Sequence, residues 1–207
     1  QYYSRPGQVG WQSWPSEFKL KEQTKVGILS EPMSDDADLQ DQQLLLMQRA
    51  ITSHVGKTLI LFTSRKTLKV YENALRSSLK SQGIALLSQL SFGNKEQLVK
   101  VFQAAKKPTV ILGLDSFWEG IDIQGEALSC LIIQKLPFIV PTEPLHHARM
   151  AHLEESGDNP FMSYMVPLCI TKLKQGMGRL IRSATDSGTI LILDPRMTTK
   201  SYGKRIC

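Results

Sequence analysis

Short apolar runs separated by helix-length amphipathic stretches constrain this chain more than any other feature. Residues 25–29, 58–62, 84–87, 109–113, 128–134 and 189–193 each read as a strand, and 128–134 is too apolar for a solvated sheet edge. Between them, 39–54, 66–82, 94–107 and 162–182 carry apolar residues at helical spacing. Leu44, Met47 and Ile51 fall on one side of the first helix, and Leu98, Val101 and Phe102 point inward from the third. Pro167 should start or kink the main segment of the last. Strands alternating with helices predict an α/β fold built on a doubly wound parallel sheet. The acidic stretch 31–41 reads as a solvated loop, and a helix begins at 201–206. Residues 1–22 form an irregular arm with Tyr2, Tyr3, Trp11, Trp14 and Phe18, rings that suit either a neighbouring domain or stacked bases. Residues 23–207 form the domain, interrupted at 137–160 by a proline-bounded insertion around a basic helix. His146, His147 and His152 in that insertion read as a solvated helix face.

Composition narrows the class. The 207 residues are 42% hydrophobic and 21% charged, as in an ordinary soluble globule with one core. No apolar run is long enough to span a membrane and no secretion signal opens the sequence, so a cytoplasmic protein is expected. Cys130, Cys169 and Cys207 are odd in number and dispersed, which argues against a disulfide framework, a zinc site or an iron–sulfur cluster in this chain. A net charge of +6 is compatible with a nucleic-acid partner.

Gly56-Lys57-Thr58 ends like a phosphate loop, but Ile51 stands where the first glycine is required. A phosphate loop also follows a strand and opens a helix, so that helix amides face the phosphates. Here a helix precedes and a strand follows, so the triplet is no nucleotide site.

The stretch Gln175-Gly176-Met177-Gly178-Arg179-Leu180-Ile181-Arg182 reads as a helix with two faces. The 3.6-residue period sets Gln175, Arg179 and Arg182 within about 60° of one another, and Leu173, Met177, Leu180 and Ile181 opposite. Gly178 beside the arginines leaves room for a partner at the backbone. Two converging guanidiniums match phosphate oxygens; a solvated amphipathic face is the plainer alternative. The two glycines disfavour a helix by about 1 kcal/mol each relative to alanine, with no structural return visible in the sequence.

Residues 175–182 resemble motif VI of superfamily 2 helicases in the form used by the XPD/DinG family. Gly113-Leu114-Asp115-Ser116-Phe117-Trp118-Glu119-Gly120-Ile121-Asp122 resembles motif V, and Thr58-Leu59-Ile60-Leu61-Phe62-Thr63-Ser64-Arg65 resembles motif IV. Lys135-Leu136-Pro137-Phe138, Asn159-Pro160-Phe161, Asp194-Pro195-Arg196 and Tyr202-Gly203-Lys204 are also similar to DinG sequences. The resemblance implies a RecA-like second motor domain, excised from a DinG-like parent that could also carry an exonuclease. It implies that Arg179 and Arg182 act as catalytic arginine fingers, and that Gln175, Gly178, Glu119, Gly120 and Asp122 bind ATP with Mg2+. A metal site on Glu119 and Asp122 alone is disfavoured, since no histidine or third carboxylate lies near. Thr63, Ser64, Arg65, Ser116 and Trp118 would contact single-stranded DNA, although Thr63 and Ser64 also suit an N-cap and Trp118 a core position. The first RecA-like domain would supply the phosphate loop and hold most of the nucleotide, so this chain alone would be inactive. Two other classes stand against this reading. One is a non-catalytic nucleic-acid-binding module, disfavoured by the retention of Gln175 and both arginines. The other is a Rossmann-type transferase, disfavoured because no G-x-G-x-x-G follows the first strand.

Overall fold

The computed structural model describes residues 20–30, 36–54, 56–118, 128–181 and 186–206. Its elements run α1 (Leu20–Gln23), β1 (Thr24–Ile28), α2 (Asp36–Ser53), β2 (Lys57–Leu61), α3 (Arg65–Ser81), β3 (Ala85–Ser88), α4 (Lys95–Ala104) and β4 (Thr109–Gly113). There follow α5 (Asp115–Trp118), β5 (Leu128–Ile133), α6 (Pro144–Glu155), a π-helical turn (Phe161–Met165), α7 (Val166–Met177), β6 (Gly188–Ile192), α8 (Arg196–Thr199) and α9 (Gly203–Ile206). The six strands form one sheet in the order β1-β6-β5-β2-β4-β3, with every described pairing parallel. The predicted doubly wound sheet is therefore present, and each expected strand is found within a residue or two.

Alternation along the strands divides the core into two layers. Leu59, Leu61, Ile111, Leu131 and Ile133 face Leu98 and Phe102 of α4, Phe117 and Trp118 of α5, and Cys169 and Leu173 of α7. Ile60, Phe62, Val110, Leu112, Cys130 and Ile132 face Met47 and Ile51 of α2 and Leu68, Tyr71, Leu75 and Leu79 of α3. Full burial of such side chains stabilises by about 1.5–3 kcal/mol each, which is why the central strands carry almost no polar residues. Among the described residues no helix is long and apolar enough to cross a membrane.

Three local expectations change. In α4, Val99 faces the core and Val101 is 45% exposed. Asn94 Oδ1 caps the amides of Glu96 and Gln97, and the buried face runs through Leu98, Val99 and Phe102, rotated away from Val101. Part of the stretch expected as a solvated loop is already helical, because α2 begins at Asp36. The helix expected over 162–182 enters through the π-helical turn, starts its main segment with Pro167 in the first turn of α7 as expected, but stops at Met177 with Gly178 as its cap. Proline in that first turn leaves no interior donor missing, and glycine favours the stop. Bonds from Arg179 N to the Gly176 carbonyl (3.1 Å) and from Leu180 N to the Met177 carbonyl (3.0 Å) tighten the exit.

Gly56 belongs to packing. A Cβ there would lie 2.2 Å from Ser129 Oγ on the neighbouring strand, so glycine lets β2 approach β5. A second buried device anchors α3: Glu72, with 0% exposure, accepts from Ser91 Oγ at 2.8 Å and pairs with Arg76 and Lys69. Burial alone would raise its carboxyl. Hydrogen bonds from Ser91 and Ser88, with the charges of Lys69 and Arg76, outweigh that and hold it below the usual range.

The short DinG-like fragments between and after the longer motifs converge on Asp194, at 3% exposure. Its carboxylate accepts from Leu136 N at 2.8 Å and from Arg196 N, Nε and Nη2. Arg196 lies over the ring of Phe138, which packs against Phe161 and Tyr202. Burial works to raise the Asp194 carboxyl, but the bonds from Arg196 and Leu136 hold it low. A depressed folded pKa stabilises the fold above the unfolded value, near 3.9, and that stabilisation disappears as pH falls through the lower folded value. Asp194→Asn should therefore lower stability by about 3 kcal/mol at neutral pH, the low end for breaking a buried pair because the Arg196 side chain is 32% exposed. The gap between denaturant melts of the two proteins should begin to narrow only below about pH 4 and close as pH falls through the lower folded value; a pH-independent gap would show that the loss is one of packing.

Candidate functional site

The candidate site is assembled at the carboxyl ends of β2 and β4 and the end of α7. Phe62 follows β2, and its amide bonds the Gly113 carbonyl at 2.9 Å, which locks the exits of the two strands together. Thr63 and Ser64 are half-buried and Arg65 is exposed. Ser64 caps α3, its Oγ accepting from Thr67 N at 3.2 Å, so the N-cap alternative for this hydroxyl is realised.

The turn after β4 is held by a residue that no sequence pattern singles out. Gln89, in the segment after β3, accepts from Leu114 N through Oε1 at 2.7 Å and donates from Nε2 to Ser116 Oγ at 2.9 Å. Its own amide bonds the Leu112 carbonyl at 3.0 Å. One side chain thus fixes both ends of the turn that presents Ser116. No periodicity marks such a residue; a lone polar side chain just past a strand end is the only trace.

Trp118 is fully buried, with 0% exposure. The core alternative therefore describes this ring, which offers no face to a strand of DNA. Its indole Nε1 points at the Phe62 carbonyl from 3.5 Å, the outer limit of a hydrogen bond. The ring lies against Gly176, where a Cβ would come within 3.0 Å of Cε3 and 3.1 Å of Cζ3. Gly176 thus has a structural return that the sequence hid: it lets α7 close on the tryptophan. The Trp118 carbonyl then accepts from Arg179 Nη2 at 3.2 Å.

The structure brings Phe62, Trp118, Gly176 and Arg179 to one junction, with Lys172 Nζ and Asp115 Oδ1 paired 2.9 Å apart beside it. Gln175 and Gly178 are exposed and Arg179 is half-buried. Because α7 ends at Met177, Arg179 is not set by helical periodicity as expected; it is placed by the capping turn and by Trp118. Leu180 and Ile181 are nevertheless buried, at 3% and 6%. Glu119, Gly120, Asp122 and Arg182 lie outside the described residues.

The Gln175 amide and the Arg179 guanidinium are both N–H donors, the chemistry an anion takes. Among the described residues no group of three or more His, Cys, Asp or Glu could hold a metal ion. Burial pushes the Cys130 thiol up to about 11 and that of Cys169 up to about 12, which removes both as thiolate nucleophiles near neutral pH.

Comparison with known proteins bears on the family and the fold. The 3'-5' exonuclease DinG of Bacillus subtilis is 40% identical over 149 residues, 72% of this chain and 16% of that protein. The ATP-dependent DNA helicase YoaA of Escherichia coli is 33% identical over 190 residues, 91% of this chain and 29% of that protein. The chain thus spans less than a third of the length of these curated relatives. Among solved structures, an XPD helicase superposes with a TM-score of 0.67 at 17% identity, over 88% of this chain and 33% of that one. The C-terminal domain of the DEAD-box protein Dbp5 gives 0.50 at 17% identity, over 87% of this chain and 81% of that one. At such identities the likeness carries the fold, which is RecA-like. The profile of the helicase C-terminal domain family matches residues 47–207, and the chain belongs to that family.

Proposed function

We propose that this chain is the second motor domain of a DinG-like, ATP-dependent DNA helicase. The observation that carries the reading is the junction at Trp118, where the ends of β2, β4 and α7 meet and Arg179 is held by a main-chain carbonyl. Arg179 and Arg182 stabilise charge on the transferring phosphoryl group when the two motor domains close. Gln175, Gly178, Glu119, Gly120 and Asp122 bind the rest of the nucleotide edge that this domain covers. Mg2+ and the phosphate loop that cradles the triphosphate belong to the partner RecA-like domain. Thr63, Ser64, Arg65 and Ser116 form part of a single-stranded DNA track, contacting phosphates; Trp118 acts from beneath by positioning the turn that carries Ser116. An exonuclease activity in the parent would reside elsewhere in it.

Titrating the chain with ATP and single-stranded DNA, alone and with the first RecA-like domain of its parent, tests this reading. Alone, it should hydrolyse no ATP above a buffer blank. It should bind single-stranded DNA without sequence preference and with an affinity that falls steeply with salt, since counterion release dominates phosphate contacts. With the partner domain, DNA-stimulated turnover should appear. Turnover by the chain alone would overturn the half-motor assignment. DNA binding with no turnover in the reconstituted pair would identify a non-catalytic binding module.

A further inference from the structure

A cavity of about 480 Å³ lies at the carboxyl ends of β5 and β6, under the first turns of α2 and α3, and takes no part in the junction described above. Its walls include Gln43, Thr67, Tyr71, Gln134, Lys135 and Arg196. The chain's connections diverge here. From β2 the chain enters α3 on one face of the sheet, whereas β5 leads to α7 on the other, with β2 and β5 adjacent. In open α/β sheets such a switch point opens a crevice beyond the strand ends that accepts ligands.

The floor is a polar network that leaves one acceptor over. Gln43 Nε2 donates to the Leu193 carbonyl at 2.6 Å and to the Gln134 carbonyl at 3.4 Å. Carbonyls only accept, so the Gln43 amide has one possible orientation. Its Oε1 then accepts from the Tyr71 hydroxyl and from Gln134 Nε2 at 3.0 Å. Burial pushes the Tyr71 hydroxyl up to about 12, against a hydrogen bond from Gln134, so it stays protonated and donates. Gln134 is thereby oriented in turn. It is 8% exposed, and its Oε1 has no hydrogen-bond partner. A buried amide oxygen calls for a donor, and a ligand carrying an N–H would supply one.

Charge selects the class of ligand. Among the lining residues Lys135 and Arg196 stand against Asp194, which leaves one net positive charge, and Arg196 is already engaged by Asp194 through Nε and Nη2. That is too little for a triphosphate, but it suits a neutral ring whose phosphate stays outside the half-open crevice. Thr67 on the wall is bonded to Ser64, so the cavity opens beside the amino end of α3. We propose that the cavity receives one unstacked base of single-stranded DNA, with Gln134 as the acceptor for an N–H on the Watson–Crick edge of that base. The proposal rests on the reading of Thr63, Ser64 and Arg65 as part of the DNA track. Every DNA base carries such an N–H, so the contact adds affinity without reading sequence.

The test compares binding of the 207-residue chain to an oligothymidylate and to an abasic oligomer of equal length and phosphate count, by fluorescence anisotropy at one ionic strength. The oligothymidylate should bind about tenfold tighter, the lower range for one accommodated base. Gln134→Leu should abolish that preference while leaving abasic binding unchanged. Photocrosslinking of a 5-iododeoxyuridine oligomer to the unsubstituted chain should map to peptides carrying Tyr71 or Gln134 and Lys135, a readout independent of whether the variant folds. If neither oligomer binds, the DNA-track reading itself falls. Equal binding of both oligomers, or crosslinks confined to other peptides, would overturn the base site and leave the track standing. A base preference that survives in folded Gln134→Leu would also overturn it.

Discussion

In the full-length parent, Arg179→Ala should lower DNA-dependent ATP turnover by about a thousandfold, and Arg182→Ala by a similar factor. Arginines that meet a transferring phosphoryl group contribute about 10³–10⁵ in rate in comparable nucleotide hydrolases, because their charge acts in the transition state and little in the ground state. The fold should hardly notice the loss of Arg179. Its side chain is half-buried and donates to the Trp118 carbonyl from the surface end of α7, and hydrogen bonds of that kind contribute about 1 kcal/mol each. Arg179→Lys should restore little turnover, since a point charge cannot reproduce a planar two-pronged donor. Steady-state ATPase at saturating DNA, with thermal melts of the same preparations, separates the two effects. Loss of the folded state with normal turnover per folded molecule would make Arg179 a structural residue.

Trp118 should behave in the opposite way. It has 0% exposure and touches the ends of three elements, so Trp118→Ala should destabilise the chain by about 3–5 kcal/mol, the range for removing a large buried ring. Its companion Gly176 should then change sign. With the indole present, Gly176→Ala places a Cβ 3.0 Å from Cε3 and 3.1 Å from Cζ3, with Leu61 Cδ1 at 3.4 Å, so α7 is pushed off the tryptophan and stability falls. With Trp118→Ala in place the clash is gone, and alanine gains about 1 kcal/mol over glycine inside a helix. A double-mutant cycle read by urea denaturation should show Gly176→Ala as destabilising in the first background and stabilising in the second. If Trp118→Ala leaves stability intact and weakens DNA binding instead, the ring works at the surface and the packing argument is wrong.

By itself the sequence determined the sheet and the family. Strands buried on both faces must be continuously apolar and the helices between them one-sided, so residues 58–62, 109–113 and 128–134 declare themselves locally. Element order likewise excluded Gly56-Lys57-Thr58 as a phosphate loop, and the structure adds that Gly56 is there for Ser129. Only the tertiary structure decided where α7 stops, why Gly176 is a glycine, that Trp118 faces inward, and that Gln89 clamps the turn before Ser116. Each of these depends on a partner remote in sequence: Trp118 for Gly176 and Arg179, Phe62 for Trp118, Leu114 and Ser116 for Gln89. Helical periodicity would have carried the arginine face through Gly178 to Arg179, but α7 ends at Met177 with Gly178 as its cap. What the pattern could not show is the close approach of Gly176 to an indole ring, because propensity and periodicity act between neighbours in the chain, whereas packing acts between surfaces that meet only once the sheet has formed.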